Sequence, residues 1–172
     1  MTEWDNYWAQ KAKFHNKAYD TVATYYRKYI LKPYLKKYLN KHFQKGSILL
    51  HAGCGSGQID EDLVNEYIII GIDSSHNALE LYKQYNPNCV KGDITCTKFQ
   101  NKRFDGIYNL GVMEHFTQDG FRETLREFKR ILKPDGKILL FVPPEYGSTV
   151  IFFKIIHYIL NNILHKNIYF QP

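Results

Sequence analysis

Between Ser47 and Pro143 the chain alternates five short, apolar, β-rich runs with stretches of helical periodicity, and this alternation restricts its fold more than any other feature. The runs are SILLH (Ser47 to His51), YIIIGID (Tyr67 to Asp73), CVKGD (Cys89 to Asp93), FDGIYNLGV (Phe104 to Val112) and KILLFVP (Lys137 to Pro143). IDEDLVNE, SHNALELYKQY and FRETLREFKRIL lie between them, and TVIFFKIIHYILNNIL follows the last. Strands alternating with helices predict a parallel sheet with right-handed crossovers and helices on both faces. The runs lack period-two alternation, as expected of strands covered on both sides. KPDG, Lys133 to Gly136, is expected to close one helix and turn into the fifth strand, with Gly136 in a helix-ending turn.

The chain has 172 residues and is 44% hydrophobic, which suits one globular domain with a real core. Ahead of the α/β region, the pattern from Trp4 to about Phe43 is helical, with Tyr7, Trp8, Phe14, Tyr25 and Tyr29 at helical spacing. Pro33 is expected to kink this segment or start a new helix. The expected organisation is an amino-terminal helical extension or lid over residues 1–45, followed by an α/β domain over residues 46–172.

The formal charge of +6 is carried almost wholly by the extension, where nine lysines and one arginine up to Lys45 face Glu3, Asp5 and Asp20. Basic residues interleaved with tyrosines between Tyr25 and Lys45 could contact nucleic-acid phosphates, anionic lipid or an acidic substrate. A solvated Lys-rich helix face is the preferred reading, because Lys, Tyr, Asn and Ile are abundant along the whole chain. Cys54, Cys89 and Cys96 have neither disulfide-framework nor zinc-site spacing, and no secretory signal opens the sequence. Reduced thiols, no metal and a cytoplasmic location are expected.

LLHAGCGSG, Leu49 to Gly57, ends the first strand with glycine at every second position. In an open parallel sheet ligands bind beyond the carboxyl ends of the strands, so Gly53, Gly55 and Gly57 border that crevice. The spacing fits neither the dinucleotide fingerprint nor a P-loop, which points to a nucleoside-like ligand that needs no pyrophosphate site. Asp73, ending the second strand, can accept from both ribose hydroxyls, although it could equally cap the next helix. Asp93 could accept from an adenine amino group with Ile94 against the ring, and Asn109 and Leu110 border the same crevice.

HAGCGSG, GIDSS, GDI, FDGIYNLGVMEHF and LREFKRILKPDGKILLFVPP resemble, in order and spacing, the successive motifs of class I S-adenosylmethionine-dependent methyltransferases. The resemblance implies a Rossmann-like doubly wound sheet, strand order 3-2-1-4-5, with S-adenosylmethionine as cofactor. It implies that Gly53, Gly55 and Gly57 approach the methionine and ribose part, that Asp73 binds the ribose, and that Asp93 and Ile94 hold the adenine. His51, Cys54, Ser74, Asn109 and Leu110 complete the candidate cofactor set. His51 departs from the family, which commonly has Asp or Glu there; a neutral imidazole accepts one hydrogen bond but lacks the charge attraction.

Methyl transfer from a sulfonium needs mainly alignment and exclusion of water. Where an amine or hydroxyl nucleophile also needs a base, the candidates are Glu114 and His115. Phe116, Glu145 and Tyr146 could shape the acceptor pocket, as could Tyr7, Trp8, Tyr19 and Tyr25 under a folded lid. The family continues past the fifth strand with a helix and two more strands; here the helix from Thr149 to about Leu164 is expected, the strands not. That helix is too broken by Lys154, His157 and Asn161–Asn162 to span a bilayer and could lie on a membrane, but packing against the sheet is preferred.

The reading is methyl transfer from S-adenosylmethionine to a small-molecule acceptor. GVMEHF stands where a nucleic-acid methylase carries its acceptor motif, so nucleic acid is not the expected partner. Aminopropyl transfer, or cofactor binding without turnover, are the alternatives.

Overall fold

The computed structural model describes residues 3–13, 21 and 24–142. The chain divides into two compact units, Met1–Val142 and Pro143–Pro172, and every described residue belongs to the first. The expected helix from Thr149, and Phe14, Tyr19, Glu145 and Tyr146, lie outside the described residues.

Five strands form one parallel sheet: β1 (Ile48–Ala52), β2 (Ile68–Asp73), β3 (Cys89–Lys91), β4 (Phe104–Leu110) and β5 (Leu132–Phe141), in the order β3-β2-β1-β4-β5. This is the expected order. β1 lies at the centre, with Ile48 opposite Ile68 on one side and Leu49 opposite Gly106 on the other. Successive side chains of a strand point to opposite faces, so β1 feeds two cores. Leu49 joins Leu35, Leu39, Leu63, Tyr67, Ile69 and Tyr108 on one face. Leu50 and Ala52 join Ile72, Ile107, Phe128 and Ile131 on the other. Burying each such large apolar side chain contributes about 1.5–3 kcal/mol, which explains why these runs carry no polar alternation.

Among the described residues the helices include α1 (Glu3–Lys13), α2 (Lys32–His42), α3 (His76–Tyr82) and α4 (Gln118–Ile131). Pro33 sits in the first turn of α2, directly after a π-helical turn, Arg27–Leu31. A proline ring clashes with the carbonyl four residues earlier, and the widened turn relieves that clash. Thr117 caps α4 by accepting from the backbone N–H of Gly120 at 3.2 Å.

Two local expectations are corrected. IDEDLVNE forms turns and one short 3-10 turn, Leu63–Asn65, instead of a helix. The backbone N–H groups of Leu63 and Val64 both bond to the carbonyl of Asp60, closing tight turns there, and the Asp60 side chain points inward. Gly136 does not end a helix in a left-handed turn. α4 stops at Ile131, the chain goes straight into β5, and residues 133–136 bulge out where the β4–β5 register shifts between Phe104 and Gly106. No described helix is long and apolar enough to cross a membrane.

Candidate functional site

The carboxyl ends of β1, β2 and β4 meet at the glycine loop. Gly53, Gly55 and Gly57 all have positive φ, 70°, 52° and 71°. Each is needed there, since a side chain at Gly53 would strike Val112 and one at Gly57 the ring of Tyr82. Protein fills the space left by these two glycines. At Gly55 a Cβ would stand 3.0 Å from Cζ2 of Trp8, which brings α1 onto the loop.

Asp73, ending β2, is buried and accepts from the backbone N–H groups of Gly55 (Oδ2, 2.9 Å) and Ser75 (Oδ1, 2.9 Å). Burial raises its pKa, against the pull of these backbone donors. The cap of α3 is Ser75, whose hydroxyl accepts from Ala78 N–H at 3.3 Å. Asp73 therefore holds the loop and keeps lone pairs for further donors, the capacity that a ribose diol requires. Ser74 lies half-buried beside it.

Asp93 is exposed beyond β3, and its Oδ1 accepts from the N–H and hydroxyl of Thr95, both at 2.8 Å. Ile94 is buried in the core cluster. Asn109 is spent within the protein, its amide donating to the Ala52 carbonyl at 2.6 Å and accepting from Met113 N–H at 3.3 Å. Leu110 packs on the opposite cluster. Cys54 is buried, and burial pushes its thiol well above the ordinary range, so it is an inert packing residue. Two acceptor carboxylates at successive strand ends, with no cluster of cations facing them among the described residues, fit a sugar and a base without phosphates.

Glu114 and His115 lie exposed on the single turn Met113–His115 after β4. The His115 ring meets Trp4 edge-on at 5.4 Å. Phe116 packs against the core. α1 thus touches the site at two points, Trp4 on His115 and Trp8 over Gly55. It is fastened by Asp5, which accepts from Ser75 Oγ and His76 N–H, both at 2.9 Å, while its carbonyl accepts from Asn77 at 3.1 Å. At the start of the basic segment, Arg27 donates to Gln58 Oε1 at 3.4 Å, one residue past the loop.

His51 does not stand alone. Its Nδ1 lies 2.7 Å from Oδ2 of Asp60, and Asp60 also accepts from the hydroxyls of Tyr82 and Tyr108, each at 2.6 Å. All four side chains are buried. Asp60, Tyr82, Tyr108 and Asp5 were not legible in the sequence; the one sign was a tyrosine inside the strand FDGIYNL.

A family model described as "Methyltransferase domain" matches residues 50–140. The chain is 27% identical over 136 residues to the probable tRNA methyltransferase 9B of Homo sapiens, covering 77% of this chain and 29% of that protein. It is 27% identical over 135 residues to the tRNA (carboxymethyluridine(34)-5-O)-methyltransferase alkbh8 of Xenopus tropicalis, covering 76% of this chain and 21% of that one. The chain thus spans less than a third of the length of these curated relatives. A solved TehB-like SAM-dependent methyltransferase from Corynebacterium glutamicum superposes with a TM-score of 0.55 at 25% identity, over 70% of this chain and 68% of that one. The relatives correct the expectation that nucleic acid is no partner, since two of them are by name enzymes of tRNA.

Proposed function

This chain belongs to the methyltransferase-domain family, and from that premise we propose that it transfers a methyl group from S-adenosylmethionine to an RNA acceptor of the tRNA class. The observation that carries the acceptor class is the exposed aromatic face on either side of Pro33. Tyr25, Tyr29, Ile30 and Tyr34 are each at least half exposed, four of the eight exposed large hydrophobic side chains among the described residues. The Tyr25 and Tyr29 rings lie 4.3 Å apart, Lys28 sits 5.4 Å over Tyr29, and Arg27 reaches the loop side of the site. Aromatic faces beside cations suit unstacked bases and phosphates. The absence of an acceptor motif in GVMEHF argues only against one class of base methylases.

The cofactor, when bound, supplies an electrophilic methyl on a sulfonium. Asp73 accepts from the ribose hydroxyls, Asp93 and Ile94 take the adenine edge and face, and the amino-acid part lies along the glycine loop. His51, Cys54, Ser74, Asn109 and Leu110 shape the walls around these contacts. Glu114 or His115 takes the proton of an acceptor hydroxyl or amine. Of the amino-terminal residues α1 acts as the lid, excluding water above the loop, whereas α2 belongs to the domain through the buried Leu35 and Leu39. A cytoplasmic setting belongs to the same reading, supported by the free thiols of Cys54, Cys89 and Cys96.

The test is incubation with methyl-labelled S-adenosylmethionine and total tRNA, with mononucleosides in parallel. Label retained in RNase-sensitive material, lost in Asp73→Ala and reduced at least tenfold in the Tyr25→Ala/Lys28→Glu double variant, is the expected result. Label in the mononucleosides alone would overturn the acceptor class.

A further inference from the structure

The buried Asp60 has three polar neighbours and no exposure. Tyr82 and Tyr108 are fully buried, and burial holds both phenols well above their ordinary range, so they remain hydroxyl donors. Oδ2 of Asp60, which accepts from Tyr82, is therefore an acceptor, and the ring nitrogen facing it at 2.7 Å must carry a hydrogen. This fixes the tautomer of His51. Nδ1 donates to Asp60, which leaves Nε2 as the ring nitrogen that can act as an acceptor. Stacking on Tyr108, with centroids 4.4 Å apart and planes at 28°, holds the ring in its plane, and a flip would break the Asp60 bond. The far side of the network is also tied, because Asn86 donates to the Tyr82 hydroxyl at 3.3 Å and to the Ile69 carbonyl at 2.9 Å.

The ring stands at the carboxyl end of β1, two residues before Gly53 and within Coulomb reach of Asp73. Among the described residues nothing donates to Nε2, although the side chain is 2% exposed. A buried acceptor without a donor is costly, and a ligand that brings an N–H removes the cost.

We propose that Asp60 is a positioning residue for cofactor binding, holding His51 so that Nε2 accepts a hydrogen bond from the ammonium group of S-adenosylmethionine. The inference rests on the cofactor reading above. A carboxylate behind an imidazole orients it and makes its free nitrogen a better acceptor, as in the shell behind metal-bound histidines. The negative charge acts on the ammonium through the ring, from a residue that does not touch the ligand.

A purely structural network would affect all ligands alike, so the test compares two. S-adenosylhomocysteine carries the amino-acid part, and 5′-methylthioadenosine has the same nucleoside without it. Asp60→Asn, whose amide can turn an N–H toward Nδ1 and force the hydrogen onto Nε2, is expected to weaken S-adenosylhomocysteine at least tenfold in calorimetric titration. Binding of 5′-methylthioadenosine should change less than twofold. His51→Phe, which keeps the stacked ring and removes both nitrogens, should shift the ratio the same way, whereas Tyr108→Phe should leave it within twofold despite a lower Tm. The wild-type chain gives an independent reading by nitrogen-15 NMR of the His51 ring. The hydrogen is expected on Nδ1, with the Nε2 signal moved by S-adenosylhomocysteine and not by 5′-methylthioadenosine. An Nε2–H tautomer, an Nε2 signal unmoved by either ligand, or equal weakening of both ligands by Asp60→Asn overturns the proposal. A folded wild-type chain that binds neither ligand would refute the cofactor reading itself, and this inference with it.

Discussion

Gly57 shows how strongly single residues near the loop are determined. Its φ of 71° already disfavours any side chain, and a Cβ would run into the ring of Tyr82, which holds Asp60 through its hydroxyl. Gly57→Ala therefore combines left-handed strain of about 1–2 kcal/mol with disruption of a buried hydrogen bond, about 1–3 kcal/mol. Urea unfolding should place the loss of stability at about 2–5 kcal/mol. Gly46 is the matched comparison, with φ 84° and nothing within 4 Å of the point where a methyl group would stand. Gly46→Ala carries the strain alone and should cost only about 1–2 kcal/mol. Equal losses at the two sites would mean that Tyr82 yields without strain. The sequence spacing marks both as glycines but cannot tell them apart, because the difference lies in a ring brought in from α3.

At the scale of elements, what could be read in advance was whatever periodicity and strand ends express. The five strands, α4 and the place of Asp73 follow from apolar runs and punctuation, since each satisfies its local preference and the global fold at once, whereas the strand order was implied by the family resemblance. Elements shaped by a distant partner were not legible. IDEDLVNE has a helical pattern, yet the Asp60 side chain is drawn into a network with β1, α3 and β4, and ten residues between Gly57 and Ile68 leave little room for a helix as well. The segment after β3 is held by a similar distant contact. Glu127 on α4 accepts from the N–H of Thr97 at 2.8 Å and its hydroxyl at 2.5 Å, and pairs with Arg130 at 2.6 Å. The bond from Arg130, with those from Thr97, lowers the Glu127 pKa below the ordinary 4.5 against the effect of burial. A carboxylate with a depressed folded pKa stabilises in full above its unfolded value and loses that contribution as pH falls through the folded one. Glu127→Gln should thus cost about 1–2 kcal/mol at pH 7. Thermal melts of variant and wild type should converge as pH drops below 4.5, the ordinary value. A constant gap down to the acid limit would show that the amide's shape, and not the charge, matters.

Across the whole molecule, α1 connects parts of the site that lie far apart in the chain. Through Asp5 it grips the start of α3, and through Trp8 and Trp4 it touches the glycine loop and His115. These contacts cross 47 to 111 residues of sequence, and hydrophobic spacing in α1 gave only the possibility of a lid, without its seat. The two tryptophans of the chain are both on this helix, so intrinsic fluorescence reports on its position. If α1 must lift for the cofactor to leave, loosening its fastening will speed departure while leaving the sheet intact. Asp5→Ala removes an acceptor shared by Ser75 Oγ and His76 N–H, and hydrogen bonds to a charged group contribute about 1.5–3 kcal/mol. Since about 1.4 kcal/mol is tenfold, the open population should rise by about tenfold or more. Stopped-flow fluorescence should then show a red-shifted tryptophan emission in the free variant and about tenfold faster dissociation of S-adenosylhomocysteine. A red shift with an unchanged dissociation rate would place α1 off the exit path and leave it a structural cover for α3. An unchanged spectrum would mean that the aromatic contacts of Trp4 and Trp8 hold the helix without Asp5.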